Sequence, residues 1–334
     1  MEARSVLSLP AEPGWQFEPK WDGFRCLAFR DGQDVQLLAK SGKTLGRFFP
    51  EIVSFLRGLP VPRFVLDGEL VLPSGAEPSF DALQARLHPA ESRIRKLSVD
   101  TPAALVLFDM LATPDGESLV QTPLESRRVA LEHFVRSLGS QGAFRLSPYT
   151  RDLSTAEAWL ARSGGALDGV VAKRIAGLYG VGRRDMLKVK RLRTADCVVG
   201  GFRTEKDQTL VASLLLGLFN REGKLDHVGF TSGIADRDKP ALTRRLEALI
   251  EPPGFTGKSP GGPSRWSTER SDEWLPLLTE LVIEVRYDHV TGDRFRHGTK
   301  LLGWRPDKAP QQCTFEQMER EPPPDLLLKG MGTR

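Results

Sequence analysis

The sequence predicts an α+β protein of two domains, the second of them a β-barrel. Three observations carry this. At 334 residues the chain has room for two cores, since one domain takes about 100–200 residues. Up to Arg193, strand-like runs alternate with amphipathic helical ones; beyond it the helical patterns nearly cease. The change falls at a basic stretch, "KRLRTADC", and not at a flexible linker, so the domains are expected at residues 1–193 and 194–334.

In chain order, "WDGFRCLAFR" and "VQLLAKSG" flank Asp31-Gly32, a hairpin signal because such a pair accepts the backbone of a tight turn. "FVLDGELVLP", "ALVLFDML", "LDGVVAKR" and "DMLKVKR" read as further strands. Between them "PEIVSFLRGL", "SFDALQARL", "TPLESRRVALEHFVRSL" and "TAEAWLARSG" read as helices, several opening on Pro, Ser or Thr as helix starts do. In the second half "CVVGGFRT", "LVASLLLGLFN", "LDHVGFTSG", "LVIEVRYDHV" and "KLLGWRP" are strand-like, and only "KPALTRRLEALI" is strongly helical. "EPPGFTGKSPGGPSRW" reads as a loop. Five strands and one helix make a small barrel, of which the OB-fold is one kind.

Composition narrows the function classes. A net charge of +4 with a pI near 9.0 permits nucleic-acid binding without requiring it. Cys26, Cys197 and Cys313 form no C-x-x-C pair, which speaks against a zinc site or a disulfide framework and fits a reducing, cytoplasmic setting. The N-terminus lacks the basic start and apolar run of a secretory signal. The longest apolar run, Leu210–Phe219, falls short of the roughly 20 residues a bilayer span needs, so no membrane association is expected. "SGKT" and "GKS" look like the end of a P-loop, but the earlier glycine that loop requires is Leu37 in one case and Pro252 in the other.

The chemistry is concentrated on strands of the first half. "FEPKWDGFR" sets Lys20, Asp22 and Arg25 around Gly23. An amine attacks phosphorus only when deprotonated, so a nucleophilic Lys20 needs burial or cationic neighbours, Arg25 being one candidate. A solvated strand end explains the same residues. "LDGEL" puts Asp67 and Glu69 on one face of an apolar strand, where acids cost solvation energy unless they bind a metal, a hydroxyl or a cation. A structural salt bridge is the alternative there. "LFDML" embeds Phe108, either core packing or a stacking platform for a base, beside Asp109. "LDGVVAKR" brackets an apolar pair with Asp168 and Lys173, and "LKVKR" sets Lys188 and Lys190 two apart on one strand face. Paired lysines serve an exposed face or a phosphate.

Taken in order, these stretches resemble the covalent nucleotidyltransferase superfamily of ATP-dependent DNA ligases, RNA ligases and capping enzymes. "KWDGFR" matches its K-x-D-G-x-R signature, "DGEL" its D-G-E, "DGVVAK" its [ED]-G-[VL]-[VM]-x-K and "KVK" its closing K-x-K. "FRHGTKLLGWRPDK" resembles the last motif of bacterial ATP-dependent DNA ligases. The whole chain is similar to the two-domain bacterial ligase C type, related to the ligase module of ligase D. The resemblance implies a nucleotidyltransferase domain, ATP-grasp-like with antiparallel sheets and helices, followed by an OB-fold. It implies that Lys20 attacks the α-phosphate of ATP to give lysyl-AMP, with Mg2+ or Mn2+ as the metal. It assigns Glu18 to the adenine pocket, Phe108 to stacking on adenine, Glu69 to the ribose, and Arg25 to AMP or the 5′-phosphate of the nick. Lys188 and Lys190 would hold the α-phosphate and Asp168 a metal. Arg305, Asp307 and Lys308 would orient the leaving pyrophosphate as the barrel domain closes.

Two positions depart from the family pattern. Asp168 stands where many members carry glutamate. Lys40, in "AKSG", stands where many carry arginine; it keeps the charge but loses the two-pronged phosphate grip. The expected substrate is nicked duplex DNA, gripped through its backbone, with Lys40, Arg183, Arg184 and Arg191 as candidate phosphate contacts. The family suggests roles in DNA repair, recombination and replication, Ku and a repair polymerase as partners, and a monomeric enzyme. Rival readings are an RNA ligase, a capping guanylyltransferase, or an inert nucleic-acid-binding relative.

Overall fold

Two sheets build the first unit, Met1–Arg191, of a computed structural model that describes residues 1–72, 80–139, 143–163, 167–205, 210–261 and 273–318. One sheet runs β1 (Ala3–Ser5), β9 (Met186–Val189), β8 (Leu167–Arg174), β2 (Trp15–Trp21), antiparallel except where β1 joins β9. The other runs β4 (Asp34–Ala39), β3 (Phe24–Asp31), β5 (Arg63–Val71), β6 (Ala104–Ala112), β7 (Phe144–Leu146). The expected hairpin is β3–β4, in register from Cys26↔Ala39 to Asp31↔Asp34, with Gly32 at φ +61° in its turn.

Lys20 and Arg25, read from sequence near one strand, lie on two. The chain leaves β2 and turns at Asp22-Gly23 into β3. A Cβ at Gly23 would sit 2.1 Å from the carbonyl oxygen of Leu70 on β5, so the turn passes where only glycine fits.

Helices cover the second sheet. α1 (Pro50–Gly58) opens on proline and buries Ile52 and Leu56. α4 (Leu124–Leu138) buries Leu131 and Phe134 against the core of β3, β5 and β6 and stops at Gly139, φ +72°. α2 (Phe80–Ala85) and α3 (Glu91–Asp100) precede β6. α3 escaped the sequence reading because it buries only Ile94 and shows no apolar stripe. On the first sheet, α5 (Leu153–Ala161) starts at Asp152, whose carboxylate accepts the Thr155 amide at 2.8 Å, and packs near Trp15, Phe17 and Val170. Trp21, Val71, Ala104, Val106 and Leu167 form a small core joining the two sheets.

The second unit begins at Leu192. Its sheet runs β12 (Leu225–Thr231), β11 (Val211–Phe219), β10 (Arg193–Thr204), β14 (Val282–Tyr287), β17 (Lys300–Trp304), with β13 (Leu275–Pro276) beside β10. A hairpin of β15 (Val290–Thr291) and β16 (Arg294–Phe295) accompanies it, and α6 (Lys239–Glu247) is the expected helix. A parallel bridge between Thr231 and Thr299 brings the first and last strands together; Thr231 Oγ1 donates to the Thr299 carbonyl at 3.0 Å. The sheet thereby closes on itself, as an OB barrel does. Val198, Phe202, Leu214, Leu216, Val228 and Ile283 fill it. Among the described residues no helix is long and apolar enough to cross a membrane.

Candidate active site

A cavity of about 260 Å³ lies between the two sheets of the first unit, near the small end of the ~300–1,000 Å³ usual for ligand pockets. Seven of the sequence-predicted residues line it: Glu18, Lys20, Arg25, Lys40, Glu69, Phe108 and Lys188. Two β-bulges aim its chemistry. Along β2 and β8, Lys20 faces Gly169 but Trp21 faces Leu167, so Asp168 is the extra residue. Along β5 and β6, Asp67 faces Asp109 but Gly68 faces Leu107, so Phe108 is the extra residue. A bulge lifts its residue out of the ladder and redirects it. Asp168 is thereby set against Lys20, and Phe108 lines the pocket. Gly169 makes the first bulge possible: its φ is +138°, and a Cβ there would meet the Val189 carbonyl at 2.1 Å.

Lys20 Nζ donates to Asp168 Oδ2 at 2.5 Å, and Lys190 Nζ reaches the same oxygen at 3.1 Å. Lys188, on β9, has its ammonium pushed down by burial and by the charges of Lys20 and Lys190. The cations gathered about Lys20 are thus Lys188 and Lys190. Arg25, the neighbour expected from sequence, turns instead to Asp67, with bonds of 3.0 and 2.6 Å. Tyr179 joins that pair, donating its hydroxyl to Asp67 Oδ2 at 2.7 Å. Asp109, opposite Asp67, is neutralised by Arg127 through two bonds of 2.8 and 2.9 Å. Facing like charges is costly in a strand pair, so each acid takes its own guanidinium. Asp67 is therefore structural, while Glu69 opens on the pocket, its carboxyl pushed up to about 8 by burial.

At the other end of the pocket, Glu18 is 2 % exposed and bonded on both oxygens. Gln16 Nε2 donates to Oε1 at 2.9 Å and Lys173 Nζ to Oε2 at 2.7 Å. Lys173 Nζ also lies 4.6 Å from the centre of the Phe108 ring. Gln16 and Lys173 were not assigned from sequence as site residues. Gln16 is two residues before Glu18 on β2, while Lys173 comes from β8, opposite Gln16 and far from both in the chain.

The candidate DNA contacts are scattered. Lys40 and Arg184 are exposed and both approach Glu2, at 3.3 and 3.5 Å. Arg183, also exposed, pairs with Asp185 at 3.0 Å, and Arg191 ends the unit. In the second unit, Arg305 grips Asp307 through Nη2–Oδ2 at 2.8 Å, which holds the Asp307 carboxyl down to about 2. Arg305 and Lys308 both bond Asp196, a residue the sequence reading passed over.

Among the described residues no three His, Cys, Asp or Glu side chains gather to hold a metal. Magnesium keeps several waters and asks for one or two carboxylates beside substrate phosphates. The single carboxylate of Asp168, at the Lys20 amine, fits that modest requirement.

A lysine amine held against an acid beside further lysines, in a pocket between two sheets, suits an enzyme that transfers nucleotides. A family model described as "ATP dependent DNA ligase domain" matches residues 3–190, and one described as "ATP dependent DNA ligase C terminal region" matches residues 207–308. DNA ligase C1 of Mycolicibacterium smegmatis is 42% identical over 330 residues, covering 96% of this chain and 93% of that protein. DNA ligase C of Mycobacterium tuberculosis is 39% identical over 336 residues, covering 96% and 93%. A solved structure from work on DNA binding by Lig E ligases has the same fold, with a TM-score of 0.56, 15% identity, and coverage of 91% and 100%. The chain belongs to the ATP-dependent DNA ligases. These matches do not favour the RNA ligase, capping or inert readings.

Proposed function

We propose that this ligase seals nicks in duplex DNA through an adenylated Lys20. The observation that carries the reading is the Lys20 amine held 2.5 Å from Asp168 in the cavity that Glu69, Phe108 and Lys188 also line. Lys20 Nζ attacks the α-phosphorus of ATP; a P–N bond forms, the bond to the β-phosphate breaks, and pyrophosphate leaves. The proton shed by the amine passes by way of Asp168. AMP then moves to the 5′-phosphate of the nick, freeing Lys20. The 3′-hydroxyl attacks that phosphate and expels AMP.

Around this sequence of displacements, Phe108 stacks on adenine, Glu18 takes the base edge and Glu69 meets the ribose. Lys188 and Lys190 hold the α-phosphate, and Arg25 completes the AMP site. Arg305, Asp307 and Lys308 orient pyrophosphate. Lys40, Arg183, Arg184 and Arg191 contact the DNA backbone. A magnesium or manganese ion, taking Asp168 as its carboxylate, would neutralise phosphate charge.

The test is labelling with α-labelled ATP, followed by denaturing electrophoresis and peptide mapping. Label is expected on Lys20 and absent from Lys20→Ala, which should also lose nick sealing. Label on another side chain, or sealing by Lys20→Ala, refutes the assignment; label from GTP but not ATP would favour capping. Sealing of nicked DNA in preference to nicked RNA tests the substrate. We further propose a monomer working in the cytoplasm on broken DNA ends, with Ku and a repair polymerase as partners. A gain in end joining on adding a Ku protein is the corresponding measurement.

A further inference from the structure

We propose that Asp196 is a positioning residue for the adenylation step, holding Arg305 and Lys308 where the leaving pyrophosphate needs them; this rests on the lysyl-AMP reading above. The carboxylate of Asp196, on β10, is shared between two cations. Oδ1 accepts from Arg305 Nη1 at 2.9 Å, and Oδ2 accepts from Lys308 Nζ at 2.5 Å. Asp307 takes the other side of the same guanidinium, its Oδ1 3.0 Å from Nε and its Oδ2 2.8 Å from Nη2. Arg305 is thus fixed in its plane by two acids, which suits the rigid fork of a guanidinium. Lys308 is a point charge on a flexible stem. Asp196 selects one of its rotamers.

The anchor is itself built into the barrel. The Asp196 side chain is 10% exposed, inside the apolar strand "TADCVVGG", where an unpaired acid would be costly. Its backbone is clamped by one side chain: the Asp196 N–H donates to Gln317 Oε1 at 2.8 Å, and Gln317 Nε2 donates to the Asp196 carbonyl at 3.1 Å. On one edge at this point β10 pairs with β14 through Glu284; β11 reaches it only from Val198 onward. The Gln317 amide takes the backbone groups that are left. Gln317 lies in a short turn, Phe315–Met318, whose Met318 is buried in the barrel core. Core packing therefore fixes Gln317, Gln317 fixes Asp196, and Asp196 fixes the two cations.

In the first displacement, electrons of the breaking P–O bond leave on pyrophosphate, and negative charge grows there. Donors already oriented at that point stabilise it without reorganising. The final step expels AMP and no pyrophosphate, so it makes no call on Arg305 or Lys308. Asp196 touches none of the reacting atoms, and its effect should fall on one step alone.

The experiment compares lysyl-AMP formation from ATP with sealing of a nicked duplex that is already adenylated. Asp196→Asn keeps the shape and removes the charge. It is expected to slow lysyl-AMP formation about tenfold, below the ~10²–10³ for deleting a stabilising donor itself, with sealing of the adenylated nick within about twofold. Gln317→Ala, which leaves the carboxylate and both cations in place, should give the same split at about threefold. If Asp196→Asn does not fold, Gln317→Ala decides alone. Unchanged adenylation in the folded variants overturns the proposal, and so does an equal loss in both steps, the mark of a merely structural role. Faster adenylation also overturns it, because the carboxylate would then be competing with pyrophosphate. Wild-type protein that takes no label from ATP overturns the lysyl-AMP reading and this inference with it.

Discussion

Replacing Lys173 by methionine tests the physics of the Glu18 end of the pocket. The Lys173–Glu18 pair is 2.7 Å long, and its side chains are 5% and 3% exposed. Methionine fills the volume of the lysine stem and can lie against Phe108, so little packing is lost. What is lost is the cation. Glu18 keeps one side-chain donor, Gln16 Nε2 at 2.9 Å, and otherwise becomes a buried anion. Removing one partner of a buried pair costs about 3–5 kcal/mol. In a unit of this size each kcal/mol shifts the melting temperature by about 2–4 °C, so a fall of roughly 6–20 °C is expected. The double variant Glu18→Gln/Lys173→Met has no charge to strand and should recover to within about 1–2 kcal/mol of the parent. Urea unfolding of the parent, both singles and the double closes the cycle. A cost below about 1 kcal/mol for Lys173→Met, or a double variant no more stable than that single, would refute the claim that the pair is held by mutual neutralisation.

Three further outcomes follow from other features. Gly169→Ala sets a Cβ 2.1 Å from the Val189 carbonyl at φ +138°, and should cost about 3 kcal/mol or more while displacing Asp168 from Lys20. A urea midpoint equal to the parent's would contradict it. Burial pushes the Glu69 carboxyl up to about 8 from an ordinary value of 4.5. The folded chain thus keeps a proton that the unfolded chain releases between those values, so the stabilisation is full at low pH and lost as pH rises toward about 8. Glu69→Gln should flatten that fall; the same pH dependence in both proteins would count against it. Burial, with Arg294 and Arg203 nearby, pushes His227 down to about 3. The unfolded chain gains this proton first, below about 6.5, so stability drains away as pH falls through that window. His227→Gln should remove this part of the acid sensitivity, read from urea midpoints at several pH values.

Much of the pocket was legible because its residues break the apolar pattern of their strands. Glu69 within "FVLDGELVL" and Asp168 ahead of "GVVA" are such interruptions, and both line or adjoin the cavity. The same signal is present at Asp196 in "TADCVVGG", which lies outside every motif of the family pattern. What the sequence did not disclose was pairing. Asp67 and Glu69 share a strand face, yet Asp67 is spoken for by Arg25 and Tyr179, and Tyr179 comes from a loop between β8 and β9. Whether a bulge makes Phe108 or Asp168 the extra residue depends on register between distant strands, which no single run of residues encodes. Five barrel strands were evident as short apolar runs; the short strands β1, β7, β13, β15 and β16, of 2 or 3 residues each, were too brief to stand out.

One oxygen of Asp168 serves two ammonium groups, Lys20 at 2.5 Å and Lys190 at 3.1 Å. In the proposed adenylation the first of these would surrender its positive charge on becoming a phosphoramidate, and a carboxylate with that partner alone would be stranded. The second lysine spares it. Loaded and unloaded forms can therefore share one arrangement of strands, and turnover need not refold the cavity each time the adenylate departs.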